Sequence, residues 1–142
     1  MKISTKGRYG MRLMVELANN FPNKKPVLLR EIAEKQDISV KYLEQIVMLL
    51  KNAKLIRSIR GAKGGYLLVN EPSYIKLSEI LEALEGNLDI TECVSYPEIC
   101  NKSETCATRD VWETISSKIR EFLYSLTLED ISKKNQEVKN EF

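Results

Sequence analysis

Three cysteines, Cys93, Cys100 and Cys106, account for every thiol in this chain and fall within one polar stretch, LDITECVSYPEICNKSETCATRD. The stretch has no sustained apolar period and contains Pro97, so it reads as a loop. Structural cysteines scatter along core faces; these are gathered where a metal could be held. An odd count argues against a closed disulfide framework. Six residues separate the first pair and five the second, whereas structural zinc sites space paired cysteines about two to four apart. The chain has no histidine, which removes the commonest nitrogen ligand and any Cys–His nucleophilic pair. Soft thiolates on one mobile loop suit an iron–sulfur cluster, gained or lost with oxidation and iron supply. Two alternatives stay open: adventitious thiols, and a cluster-free sensor working through sulfenic acid or disulfide formation.

The elements that must position this loop are ordinary in composition. Hydrophobic residues make up 43% of the 142 and charged residues 30%, enough for one core or a small domain with an extension. No apolar run approaches the roughly 20 residues that span a bilayer. MKISTKGRYGMRL is basic but lacks the uninterrupted apolar core of a signal peptide. The expected location is therefore cytoplasmic, with no membrane partner and with thiols kept reduced. The net charge of +2 conceals an asymmetry: residues 1–70 carry +9 and residues 71–142 carry −7. A basic half joined to an acidic half fits a nucleic-acid reader with a separate control region; a chance solvated surface is the bland alternative.

Along the chain, Ser4 to Phe21 reads as a helix capped by Ser4 and ended by Pro22, with Lys6, Arg8 and Arg12 on its first turns. Leu28 to Lys35 is a second helix, with Leu29, Ile32 and Ala33 inward. Gln36 and Asp37 break it, and Ser39 caps a third, Val40 to Asn52, burying Leu43, Ile46, Val47 and Leu50. Two helices split by so short a turn have the proportions of a helix-turn-helix, although the usual turn glycine is missing. Residues 55–60 and 66–69 then read as strands around Gly61, Gly64 and Gly65, a basic glycine turn that makes a wing. The glycines lack both nucleotide-loop spacings.

Ile75 to Leu84 is a further amphipathic helix. Thr108 to about Leu128 is a long one striped by Val111, Trp112, Ile115, Ile119, Phe122, Leu123 and Leu126. That stripe exceeds what the winged domain needs, so it is expected to pack against a twin in a homodimer; folding back on its own domain is the alternative. Ser132 to Phe142 reads as a frayed polar tail. The expected organisation is a winged helix-turn-helix DNA-binding domain over 1–86, a cysteine loop over 87–107, a dimerisation helix over 108–131 and a tail over 132–142. The fold class is mainly α with a small β wing.

Polar residues at the start of a recognition helix reach base edges. Here they are Ser39, Lys41, Tyr42, Glu44 and Gln45. Gln45 suits adenine, Glu44 the cytosine amine, and Lys41 guanine or phosphate. On the wing, Arg57, Arg60 and Lys63 lie near the glycine turn, while Lys6 and Arg8 suit phosphates. Each alone could be solvated surface. As a set they coincide with separate docking elements, and an operator of double-stranded DNA is the expected partner.

STKGRYG, ISVKYLEQI, SIRGAKGGYLL, the three-cysteine loop and CATRDVW together resemble the IscR-type regulators of the Rrf2 family of winged-helix transcription factors. The resemblance spans residues 1–130. It implies a homodimer, a DNA-binding repressor rather than an enzyme, and a cluster on each subunit, 2Fe-2S in preference to 4Fe-4S. It also implies control of iron–sulfur assembly or related stress genes, with the assembly machinery as a further partner. By position Cys93, Cys100 and Cys106 match the cluster cysteines, Ser39, Lys41, Tyr42, Glu44 and Gln45 the recognition helix, and Arg60 the wing arginine. The family histidine that completes the cluster is here Arg109, which stays protonated and offers no lone pair. A position that supplies oxygen in some relatives is Arg8. A fourth ligand then falls to Glu92, Glu98, Glu104, Asp110, an exogenous thiol or water. The alternatives within the fold are a cluster-free regulator governed by thiol redox or a partner enzyme of cysteine metabolism, and a nitric oxide sensor. An iron–sulfur carrier would have no use for a wing.

Overall fold

The computed structural model describes residues 2–141, so Phe142 of the expected tail lies outside it. Helix α1 (Thr5–Asn20) starts where the Ser4 hydroxyl accepts from the Gly7 N–H at 3.1 Å. Helices α2 (Leu29–Gln36) and α3 (Val40–Asn52) follow. Between them Asp37 adopts a left-handed conformation, φ 53°. Aspartate tolerates that region better than most residues, so it replaces the missing turn glycine. Ser39 caps α3 by accepting from the Tyr42 N–H at 3.1 Å.

Strands β1 (Ile56–Ile59) and β2 (Gly65–Leu68) pair antiparallel, Ile56 opposite Leu68 and Ile59 opposite Gly65. Gly65 (φ 143°) lies so close to Val27 that a Cβ would stand 2.5 Å from its carbonyl oxygen. That approach lets Val27 and Tyr66 exchange backbone hydrogen bonds of 3.0 and 2.9 Å, tying the wing to the segment before α2. Helix α4 (Leu77–Glu85) packs on α1. Gly10 permits this, because a Cβ there would meet Leu84 at 2.4 Å. One core joins these elements, with Leu13, Met14, Leu17, Ile32, Leu43, Ile46, Leu50, Ile80 and Leu84 all buried. Full burial of each such aliphatic side chain stabilises by about 1.5–3 kcal/mol.

The last third differs from the expectation in two places. The cysteine stretch is not a plain loop: it contains a single turn, α5 (Glu92–Ser95), and 3-10 turns at Pro97–Ile99 and Ser103–Thr105. The long helix is α6 (Ala107–Ser125), and it stops at Leu126 and Thr127, both extended. A further helix, α7 (Leu128–Asn140), then stands where a frayed tail is expected. Two causes are visible. Thr127 and Asp130 form a capping box, the Thr127 N–H donating to the Asp130 carboxylate at 2.9 Å and the Asp130 N–H to the Thr127 hydroxyl at 3.3 Å. The junction is also pinned to the start of α4 and the residues just before it, with Leu77 N–H to Leu126 C=O at 3.0 Å and Leu128 N–H to Ile75 C=O at 2.8 Å. Helix α7 returns along α1 and fully buries Leu128. Among the described residues no helix is long and apolar enough to cross a membrane.

Candidate nucleic-acid interface and cysteine segment

The third helix buries Leu43, Ile46, Val47 and Leu50, which by helical geometry turns Lys41, Glu44 and Gln45 outward, and all three are exposed. Ser39 is exposed as well, but its hydroxyl is occupied as the cap of α3. Tyr42 is half-buried and meets Tyr9 edge to face, ring centroids 5.9 Å apart. The Arg12 guanidinium in turn lies over the Tyr9 ring at 5.5 Å. An aromatic joint thus fixes the start of α3 against α1. On α1 itself Arg8 is exposed and Lys6 partly so.

Next to α3, the outer face of the wing completes a shallow groove lined by Glu44, Val47, Met48, Lys51, Asn52 and Tyr66. Lys51 reaches the Ser58 hydroxyl of β1 at 3.4 Å. Arg60 and Lys63 stand exposed at the glycine turn. Arg57 is not brought to this groove. It alternates with Ser58 and lies on the other side of the ribbon, near Phe21, Lys24 and Leu67. Met48, Lys51 and Asn52 are the residues sequence reading missed. Their signal is the outward face of α3 two and three turns beyond Lys41, where Met48 is 61% exposed.

The cysteine segment is held against α6 by polar ties rather than by a core. Arg120 of α6 donates to the nearly buried Asp89 carboxylate, which also accepts from the Ser95 hydroxyl at 2.7 Å. The buried Ser116 hydroxyl accepts from the Ile90 N–H at 3.1 Å. Arg109 donates through Nε to the Cys93 carbonyl at 3.0 Å and lies 3.4 Å from Glu113. At the position where a ligand would stand, the guanidinium therefore braces the backbone of the segment.

The thiols themselves are partly accessible. Cys93 is half-buried, 3.3 Å from the Thr91 hydroxyl; Cys100 is exposed; Cys106 is the N-cap residue of α6, 3.1 Å from the Thr108 hydroxyl. The Thr108 hydroxyl, with the Arg109 backbone N–H second, holds the Cys106 thiol below its ordinary range. Three thiols on one short segment are the donor chemistry of an iron–sulfur site. As the segment lies, no three Cys, Asp or Glu side chains among the described residues form a group able to hold a single metal ion. Glu92, Glu98, Glu104 and Asp110 are all exposed and none is gathered with the thiols.

The stripe expected along the long helix divides into two faces. Leu123 and Leu126 pack on the core, and Ile119 lies beside Leu81 of α4. Val111, Trp112, Ile115 and Phe122 are 37–63% exposed in the single chain, an apolar face of the kind that marks an interaction surface.

The profile of the family described as "Rrf2: Iron-dependent Transcriptional regulator" matches residues 3–134. The HTH-type transcriptional regulator CymR of Bacillus subtilis is 43% identical over 132 residues, 93% of this chain and 90% of the relative. Among solved structures, CymR (YrzC), the global cysteine regulator of B. subtilis, superposes with a TM-score of 0.81 at 42% identity, covering 94% of this chain and 98% of that one. The T. potens IscR structure superposes with a TM-score of 0.78 at 40% identity, covering 97% and 90%.

Proposed function

The chain belongs to the Rrf2 family of transcriptional regulators, and on that premise we propose a dimeric DNA-binding repressor that reads its operator with α3 and the wing and takes its signal at Cys93, Cys100 and Cys106. The observation that carries this reading is the pairing of an exposed polar face on α3 with a wing whose strands border it and whose exposed turn carries Arg60 and Lys63. Lys41, Glu44 and Gln45 supply base-edge groups, Tyr42 orients the helix, and Lys6, Arg8, Arg60 and Lys63 supply phosphate charges. Arg57, on the far side of the ribbon, contributes to the field and not to the groove. The exposed apolar face of α6 is where a second copy packs.

For the signal, the three thiolates would hold an iron–sulfur cluster, whose assembly and loss follow oxidation and iron supply. The chain's own part is to place them: Asp89, Arg109, Ser116 and Arg120 keep the segment on α6, so a change in it reaches the helix that also builds the dimer. Target genes in iron–sulfur assembly fit this reading. A second reading, thiol oxidation without a cluster and genes of cysteine supply, is favoured by the separated thiols and by the likeness to a cysteine regulator. Anaerobic purification followed by absorption spectra, iron and sulfide analysis and DNA binding decides. Visible colour that Cys100→Ala abolishes supports the cluster. Colourless, iron-free protein after reconstitution, with DNA binding that responds to peroxide, supports the thiols.

A further inference from the structure

Glu16 is the one charged residue in the buried set among the described residues, 4% exposed in the middle of α1. An unpartnered carboxylate there would be severely penalised. Its partners come from two other helices. The Lys35 ammonium lies 2.5 Å from Oε2 and the Gln36 side-chain amide donates to Oε1 at 2.9 Å. From α7, the Lys139 ammonium stands 3.9 Å from Oε1. Lys35 and Gln36 are the last residues of α2, directly before left-handed Asp37 and the Ser39 cap of α3. Fixing them fixes the turn from which α3 departs.

Helix α7 has a second hold on the same side of α1. Asn19 Oδ1 accepts from the Ser132 hydroxyl at 2.7 Å and from the Gln136 amide at 3.2 Å. Ser132, Gln136 and Lys139 follow one helical face. Through the extended pair Leu126 and Thr127 the chain joins α7 to α6, whose first turn braces the cysteine segment. Helix α7 therefore joins the element that carries the thiols to the turn that aims α3.

We infer that Glu16 is a positioning residue for the reading helix, and that Lys139 of α7 is the tie through which the C-terminal helices set that position. Directional bonds to a buried charge specify one arrangement more than they stabilise it. The inference rests on α3 being the element that reads DNA.

The test compares two duplexes: the one the full-length protein enriches from a randomised pool, and a scrambled duplex of equal length and composition. Lys139→Ala lowers the ratio of specific to scrambled affinity by about threefold to fivefold, and Lys139→Arg restores it. Glu16→Gln lowers the ratio by about tenfold, the size of one charge-assisted hydrogen bond. A purely structural role lowers thermal stability and leaves the ratio unchanged in both variants; that result overturns the inference. If Glu16→Gln does not fold, the exposed Lys139 pair decides by itself. Gln45→Ala is measured alongside. If it too leaves the ratio untouched, the reading of α3 as the DNA helix fails, an outcome distinct from the failure of Glu16 alone.

Discussion

The reading head and the cysteine segment are held by opposite means. The head buries Leu13, Met14, Leu43, Ile46 and Leu50 in a shared core, and its two helices are set by a serine cap and a left-handed turn. The segment buries no large hydrophobic residue and stays on α6 through the Asp89–Arg120 pair, the Ser116 contact and the Arg109 brace. Apolar burial is spread over many contacts and resists local change, whereas a few polar ties can be exchanged at small net cost. On the function proposed above, a docking surface gains from the first and a sensor from the second.

The sharpest way to break this comparison is to truncate each region in turn. Leu43→Ala is expected to destabilise the protein by about 2–5 kcal/mol through lost burial and a cavity. Cys100→Ser, at an exposed position, is expected to stay within about 0.5 kcal/mol. Denaturant titration of the two variants checks it, and similar losses would erase the distinction. Function should divide the same way. Arg60→Ala is expected to weaken operator binding about tenfold and to reduce the salt slope by about 1, measured by binding across a salt series; an unchanged slope removes the wing contact.

Asp89→Ala removes the central tie of the segment. Because Arg120 is 41% exposed, the loss is expected to be about 1 kcal/mol after solvent screening. Hydrogen exchange should rise at Ile90 to Ser95 while α3 stays protected. The smallest expected effect concerns α7. Thr127→Ala is expected to cost at most about 1 kcal/mol through the lost cap. The Thr127 backbone N–H, then its hydroxyl, holds the Asp130 carboxyl below its ordinary range. A carboxyl with a lowered folded pKa contributes stability above its unfolded value, near about 3.9, and loses it as pH falls through the folded one. Thr127→Ala keeps the backbone N–H and removes only the hydroxyl's share, so part of the gap from wild type should be lost below about pH 4, which thermal melts across pH will show.

Much of the head was legible because local signals agreed there. Ser39, the stripe through Leu43, Ile46, Val47 and Leu50, and the glycines between two β-rich runs each specify a boundary within a few residues. The outward side of α3 follows from the buried side, so Lys41, Glu44 and Gln45 were legible as exposed, while Met48 was not, since an apolar residue there reads as core. The end of the chain was misread for a similar reason. Ser132 to Asn140 is too polar to announce a buried face, and the Thr127–Asp130 cap is a short signal next to a long stripe.

By itself the sequence determined the helix-turn-helix, the wing, the charge split between the halves and the presence of three thiols, because each depends on residue type and short-range spacing. Only the tertiary structure decided which side of the ribbon Arg57 occupies, that Arg109 braces the Cys93 backbone, and that α7 closes on Glu16. Those outcomes turn on where groups distant in sequence meet, and a buried charge selects its partners only once the helices around it have packed.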